Sequence, residues 1–314
     1  MNEIPSLIED FLLHCKFEKN LSPLTLKAYQ IDLKQFQEFV KKDSHPQKTA
    51  SELDKTIIRE YLKEIFPHNK PKTIKRKLAT LKAFMNHLEY EDIITVNPFN
   101  KLRLSIKEGK QLPKTIDIKN IKKLFYYLYN KKKKLVQKKN SSYKILVRDI
   151  AVLELLFATG IRVSELSNLK LQNFNIFRGI VLIKGKGNRE RIIPIPHLGS
   201  LNALNNYYKL FEAIISRGDY FFVNRLGNRL SEQSVRLMIY KHVQALSMKQ
   251  HITPHMFRHS VATLLLENGV DIRYIQNILG HSSINTTQIY AQVNEVPKRK
   301  ILEIKHPRNK FNLE

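Results

Sequence analysis

Cysteine is almost missing from this sequence. Cys15 stands alone among 314 residues, which excludes an internal disulfide and any metal site built from clustered thiolates. No apolar run reaches the length needed to cross a membrane, and the opening Met-Asn-Glu-Ile-Pro lacks the make-up of a secretion signal. The expected compartment is the cytosol, with no membrane insertion. Acidic residues are also scarce: 28 Asp and Glu stand against 54 Lys and Arg, a formal charge of +26. That excess favours a polyanion partner, most simply nucleic acid. The plain alternative is a solvated basic surface. The imbalance is concentrated in residues 105–314, with 36 basic against 14 acidic residues, whereas residues 1–104 hold 18 and 14. The length suffices for two domains with sizeable cores.

What is present reads first as helix. Residues 3–17 carry Ile4, Leu7, Ile8, Phe11 and Leu12 at helical spacing. Ser22-Pro23 starts a second helix, with Leu26, Tyr29, Leu33, Phe36 and Phe39 on one side. A third runs from Ser51 to Phe66 and a fourth from Lys72 to Tyr90. The fourth joins an apolar face to a basic one made of Lys72, Lys75, Arg76 and Lys82. Such a face can lie in a DNA groove, or be an ordinary amphipathic surface. These four helices predict an all-α domain over residues 1–104, closed by Pro98. Residues 105–113, polar with Gly109 and Pro113, read as a linker. A joint there would let two basic domains close around a duplex.

Residues 114–314 form the second expected domain. A helix over 117–129 precedes a Lys-rich segment, 131–144, read as a solvated loop with a possible reach to backbone phosphate. An apolar helix over about 144–158 stops at Thr159-Gly160, where glycine suits the left-handed position after a helix. Arg162 follows, with Glu165 three residues on, the spacing of a surface ion pair. Residues 176–195 read as a β-hairpin, Ile180–Ile183 and Arg191–Ile195, with Lys186 in its glycine-bearing turn. Tyr220–Val223 reads as a short strand. Ser231 caps a helix through about 247. A helix over 254–267 and a short one over 271–279, with Ile272, Ile275 and Ile278 inward, lead to Gly280-His281. Residues 295–304 read as one more short helix.

The stretch 252–290 carries the chemistry. Thr253 can cap a helix and Pro254 suits its first turn. His255 and Arg258 then share one helical face. An arginine is a bidentate clamp for phosphate, a histidine carries protons near neutral pH, and a tyrosine can be a covalent nucleophile. With His281 and Tyr290 downstream, the set suggests phosphoryl transfer through tyrosine. A metal is not expected: His255 and His259 stand at a spacing zinc can use, but His-Glu-x-x-His is missing and Arg258 between them repels a cation. His259 reads as a packed or phosphate-adjacent histidine.

Together these motifs resemble the tyrosine recombinase, or phage integrase, family. The resemblance rests on Ala158-Thr-Gly-Ile-Arg-Val-Ser-Glu-Leu166, Gly185-Lys-Gly-Asn-Arg-Glu-Arg191, Thr253-Pro-His-Met-Phe-Arg-His-Ser260, Leu279-Gly-His-Ser282 and Thr286-Thr-Gln-Ile-Tyr290. Residues 21–36 and 73–88 are similar to the family's N-terminal core-binding domain. The resemblance implies a mainly α catalytic domain with a small β-sheet (α+β), behind an all-α SAM-like domain. Among family members the nearest likeness is to the two-domain Xer type, because the first helix starts at residue 3 and leaves no room for an arm-binding domain.

The resemblance also implies roles. Tyr290 would attack a DNA phosphodiester to form a 3′-phosphotyrosyl bond. His255 would take its proton, Arg162 and Arg258 would clamp the phosphate oxygens, Lys186 would protonate the leaving 5′-oxygen, and His281 would donate a hydrogen bond. Glu165 would orient Arg162. Neither cofactor, metal nor ATP is implied. The expected partners are double-stranded DNA sites and a homo- or hetero-tetramer, each protomer's C-terminal segment docking on its neighbour, with a second recombinase or a septal DNA translocase as further candidates. Resolution of chromosome dimers during segregation and cell division is the expected role. Mobile-element integration, a non-catalytic DNA-binding relative and topoisomerase-type relaxation are the alternatives.

Overall fold

The computed structural model describes residues 3–42, 49–107, 114–135, 141–185, 190–195, 197–280 and 301–311. The chain divides into two compact units, Met1–Gln111 and Leu112–Glu314.

The first unit holds α1 (Ile4–Phe17), α2 (Pro23–Val40), α3 (Lys55–Ile65) and α4 (Pro71–Tyr90). Each start has a local cause. Pro stands in the first turn of α1, α2 and α4, and the Ser22 hydroxyl accepts the Thr25 N–H at 3.2 Å. The apolar stripes meet in a core of Phe11, Leu33, Phe36, Phe84, Met85 and Leu88. The helix expected from Ser51 to Phe66 is instead broken. A 3-10 turn, Ala50–Glu52, precedes α3, because the Asp54 carboxylate accepts the N–H groups of Thr56 and Ile57 and starts a new helix there.

The second unit is built around α6 (Ser141–Thr159). Every residue from Asp149 to Thr159 is buried, so this stretch is covered on all sides, and its two acidic residues, Asp149 and Glu154, need partners inside. α5 (Ile118–Leu135), α8 (Leu198–Ile215) and α10 (Pro254–Glu267) pack on it. α5 continues six residues past its expected end, so Lys131–Lys134 are helical rather than loop. Lysine is a good helix former, and cations suit a helix C-terminus. Lys131 and Lys132 also lie over the rings of Tyr127 and Tyr129. Residues 136–140 lie outside the described residues.

Antiparallel strands β2 (Ile180–Lys184) and β3 (Glu190–Pro194) form the expected hairpin, with Val181 opposite Ile193. A short strand not foreseen from the sequence, β1 (Phe174–Asn175), pairs with β2 to complete a three-stranded sheet in the order β1-β2-β3. Tyr220–Val223 makes only isolated bridges, to Lys170 and Arg229. Each of its neighbours meets it at a single bridge, so no ladder forms. The unit closes with α7 (Val163–Ser167), α9 (Glu232–Ala245), α11 (Ile272–Leu279) and a tail of helical residues 301–305 and a 3-10 turn, Pro307–Lys310. Ile272, expected to point inward, is 56% exposed: it shares a side with Ile275 and Leu279 but opens α11 just after the Asp271 cap, one turn before the buried residues begin.

The tail packs on its own unit. Leu302 is fully buried, and Phe311 stacks on Phe157. Arg308 donates to both oxygens of the buried Glu154, through Nη2 at 2.7 Å and Nε at 3.0 Å. Tyr129 and Ser200 hydroxyls donate to the same carboxylate at 2.8 and 2.7 Å. Residues 301–311 thus pack on their own unit; residues 295–300, the start of the helix expected over 295–304, lie outside the described residues.

A buried charge stripped of its partner is costly. Glu154→Leu should destabilise the second unit by about 3–5 kcal/mol in urea unfolding of the full chain. Adding Arg308→Met should recover most of that loss. A loss under ~1 kcal/mol for the single variant, the range of an exposed pair, would contradict this reading.

Candidate active site

α6 ends where the site begins. Gly160 follows Thr159 with φ of +61°, a left-handed conformation that bends the chain away from the helix. A Cβ there would stand 2.6 Å from Leu279 Cδ2, so the position also needs the missing side chain for close approach of α11. Two residues later Arg162 occupies the N-cap of α7. Its backbone N–H donates to Glu165 Oε2 at 2.8 Å and its Nη1 to Glu165 Oε1 at 3.0 Å. Its Nη2 donates to the Gly280 carbonyl at 3.3 Å. The Arg162 side chain stays 36% exposed, which leaves it open to a ligand.

α10 supplies the next two groups. Thr253 stands at its N-cap, but contrary to expectation its side chain makes no capping bond; Pro254 in the first turn removes one N–H that would need a partner. His255 lies on the exposed side of that first turn and Arg258 is buried one turn on. Arg258 donates from Nη1 to the Gly160 carbonyl at 2.9 Å and from Nη2 to the Leu279 carbonyl at 2.7 Å. Burial above all, then the neighbouring Arg162, pushes its pKa down to about 10, so it remains a cation at neutral pH.

The same end of α11 holds a third arginine. Arg191, on β3, donates from Nε to the Ile278 carbonyl at 2.9 Å. Its Nη1 and Nη2 donate to the two oxygens of Glu165 at 2.9 and 2.8 Å. Burial acts to raise the Glu165 pKa, but the bonds and charge of Arg191, with those of Arg162, outweigh it and hold the carboxyl below its ordinary value.

The structure therefore brings together Arg162, Glu165, His255 and Arg258, from two separate stretches of sequence. Lys186, His281 and Tyr290 lie outside the described residues. The expected basic face of α4 belongs to the first unit: Lys72, Lys75, Arg76 and Lys82 are all exposed. Arg76 is also ion-paired with the buried Asp32, and the buried Lys77 beside it contacts Asp32 and Gln35. His259 is exposed rather than packed, since it falls on the outward side of α10. Among the described residues, no group of three or more His, Cys, Asp or Glu could hold a metal ion. Arg191 was not singled out from the sequence. The signal was strand alternation, which places it on the same face as the buried Ile193.

Three arginines gathered at a helix end, beside a β-hairpin on a helical unit, are an arrangement suited to a phosphate. The phage integrase family matches residues 128–296 and its N-terminal SAM-like domain residues 8–92, so the chain belongs to that family, the tyrosine recombinases. A tyrosine recombinase of Agathobacter rectalis is 46% identical over 313 residues, covering 99% of this chain and 100% of that relative. Tyrosine recombinase XerC of Oceanobacillus iheyensis is 33% identical over 320 residues, 99% of each chain. In solved structures, the fold is shared with XerH site-specific recombinase bound to its difH substrate (TM-score 0.67, 21% identity, 91% of this chain and 82% of that one). It is also shared with a lambda integrase dimer bound to a core site (TM-score 0.66, 17% identity, 90% and 98%).

The surroundings of His255 favour its neutral ring. Protein atoms crowding the ring, then the positive charges of Arg236, His259, Arg258 and Arg162, lower its pKa from 6.5. In an NMR titration His255 should give up its proton below pH 6.5, and Arg236→Ala should bring the midpoint closer to the usual value. A midpoint above the ordinary value for a free histidine would contradict this electrostatic picture.

Proposed function

We propose that this chain is a site-specific DNA recombinase that cuts and rejoins duplex DNA through a 3′-phosphotyrosyl bond at Tyr290. The observation that carries the reading is the convergence of Arg162 and Arg258 on the last carbonyls of α11, with His255 close enough to feel both charges; in the sequence His281 follows Gly280 at once and Tyr290 stands ten residues on. A phosphodiester carries one negative charge and gains a second as a nucleophile adds. Two guanidinium groups answer that charge, and such electrostatic support is commonly worth on the order of a hundredfold to a thousandfold in rate per donor.

The steps then balance as follows. Tyrosine has an ordinary pKa near 10, so only about one in a thousand is ionised at pH 7. His255 accepts the hydroxyl proton as the Tyr290 oxygen attacks phosphorus. The bond to the 5′-oxygen breaks, and Lys186 on the β2–β3 hairpin supplies the proton that oxygen needs. His281 donates a hydrogen bond to the phosphate, and Glu165 holds Arg162 in place. The phosphotyrosyl ester keeps the bond energy, so a 5′-hydroxyl from another strand reverses the reaction without ATP, metal or cofactor.

For the biological role we take the Xer-like one, resolution of chromosome dimers in segregation and division, carried out in the cytoplasm on nucleoid DNA. Its support is the match along nearly the full length to proteins named XerC. No helix among the described residues is long and apolar enough to cross a membrane. The first unit, with residues 1–104 as a core-binding clamp and 105–113 as its joint, would lay Lys72, Lys75, Arg76 and Lys82 along the duplex backbone. The working assembly would be a tetramer on two sites, in keeping with the lambda integrase tetramer bound to a Holliday junction, whose fold this chain shares. A second recombinase and a septal translocase are the partners this role would call for.

A nicked suicide duplex, carrying repeats of the dimer-resolution type from the host chromosome, tests the chemistry. Wild-type chain should give a slow-migrating DNA-linked band on a denaturing gel, and Tyr290→Phe should bind the same DNA without forming it. An adduct that persists in Tyr290→Phe would sink the assignment of the nucleophile.

A further inference from the structure

Arg191 has no part in the steps just described, yet it makes three side-chain hydrogen bonds to two elements of the site. Its side chain is 10% exposed, and each of its three guanidinium nitrogens donates a hydrogen bond, Nε to Ile278 and both Nη atoms to Glu165. Gly280 closes the space behind it: a Cβ at Gly280 would stand 2.9 Å from Arg191 Nη1 and 3.1 Å from Cζ. The residue thereby joins three carriers of proposed catalytic groups. These are β3, beside the Lys186 turn; α7, with Arg162 and Glu165; and the end of α11, which leads to His281 and Tyr290.

The charge arrangement gives this geometry a purpose. Glu165 is buried and carries a negative charge directly beside Arg162. Left alone with one partner, a carboxylate takes an arginine in the two-bond fork geometry, which uses both of its oxygens. Here Arg191 already uses both oxygens, and the Arg162 guanidinium reaches only Oε1, through Nη1, while its backbone N–H takes Oε2. Arg162 Nη2 is turned instead toward the Gly280 carbonyl at the site.

We propose that Arg191 is a positioning residue for strand cleavage. By engaging Glu165 it offsets the carboxylate's charge and keeps Arg162 from being drawn into a closed pair, so that Arg162 and Arg258 face the phosphate with two positive charges. This rests on the reading of the chain as a phosphotyrosyl recombinase. The side chain touches no substrate; it acts through Glu165.

The test is a coupling measurement on the full-length chain. The probe is the nicked duplex on which wild-type protein forms its adduct, at saturating DNA. Arg191→Met should slow adduct formation on the order of a hundredfold, the usual size for a misplaced catalytic group, while the affinity for the duplex stays within about threefold of wild type. Arg191→Lys, which keeps the charge but not the fork, should fall between the two. In a Glu165→Gln background, where there is no charge to offset, adding Arg191→Met should cost less than about threefold further. A merely structural role would give the opposite pattern, the same large loss in both backgrounds, and would overturn the proposal. So would a wild-type rate for Arg191→Met. Absence of any adduct from wild-type protein would instead count against the recombinase reading itself.

Discussion

Three successive carbonyls at the end of α11 are each received by a different arginine: Ile278 by Arg191, Leu279 by Arg258 and Gly280 by Arg162. The last carbonyls of a helix have no partner within it, and that end of the helix carries partial negative charge. A guanidinium meets both needs at once. The consequence runs in both directions. The arginines fix where the chain leaves α11, and α11 fixes where the arginines stand. Because Arg162 follows α6, Arg258 lies on α10 and Arg191 lies on β3, this one helix end ties together most of the elements that bear the site.

That arrangement depends on the helix beneath it. α6 is wrapped by α5, α8 and α10, and its C-terminal Thr159-Gly160 turn delivers Arg162. Among the described residues, the acidic side chains buried in this unit are each paired with an arginine: Glu154 with Arg308, Glu165 with Arg191 and Arg162, and Asp149 with Arg148, His242 lying 3.0 Å from its other oxygen. Burying a carboxylate is tolerable only with such pairing. Negative charge is thereby taken inside and matched, while the lysines of α5 remain on the outside for a polyanion.

Much of this was legible in the sequence, for local reasons. Ser22 and Ser231 cap the helices they precede, Gly160 sits in the left-handed turn its type suggests, and the apolar stripes of α2 and α4 are the ones that pack. Arg162, His255 and Arg258 stand out because their neighbours form recognisable motifs. What escaped depends on distant partners or on competition between weak signals. The extension of α5 through four lysines looked like a solvated loop until Tyr127 and Tyr129 gave their stems a surface to lie on. α8 passed unnoticed because its buried Ala203, Leu204 and Tyr207 are spaced by polar Asn residues. β1 is two residues long and exists only through its pairing with β2. Arg191 looked like one more basic residue in a basic chain; its meaning comes from Glu165, 26 positions earlier.

The central claim is that the chain leaving α11 carries the nucleophile to the arginines gathered at its end. Tandem mass spectrometry of the trypsin-digested DNA adduct addresses it directly. The peptide from Tyr274 to Lys298 contains two tyrosines, so fragment ions distinguish them. The account predicts a nucleotide linked through its 3′-phosphate to Tyr290. A modification on Tyr274, on another side chain, or through a 5′-phosphate would contradict it.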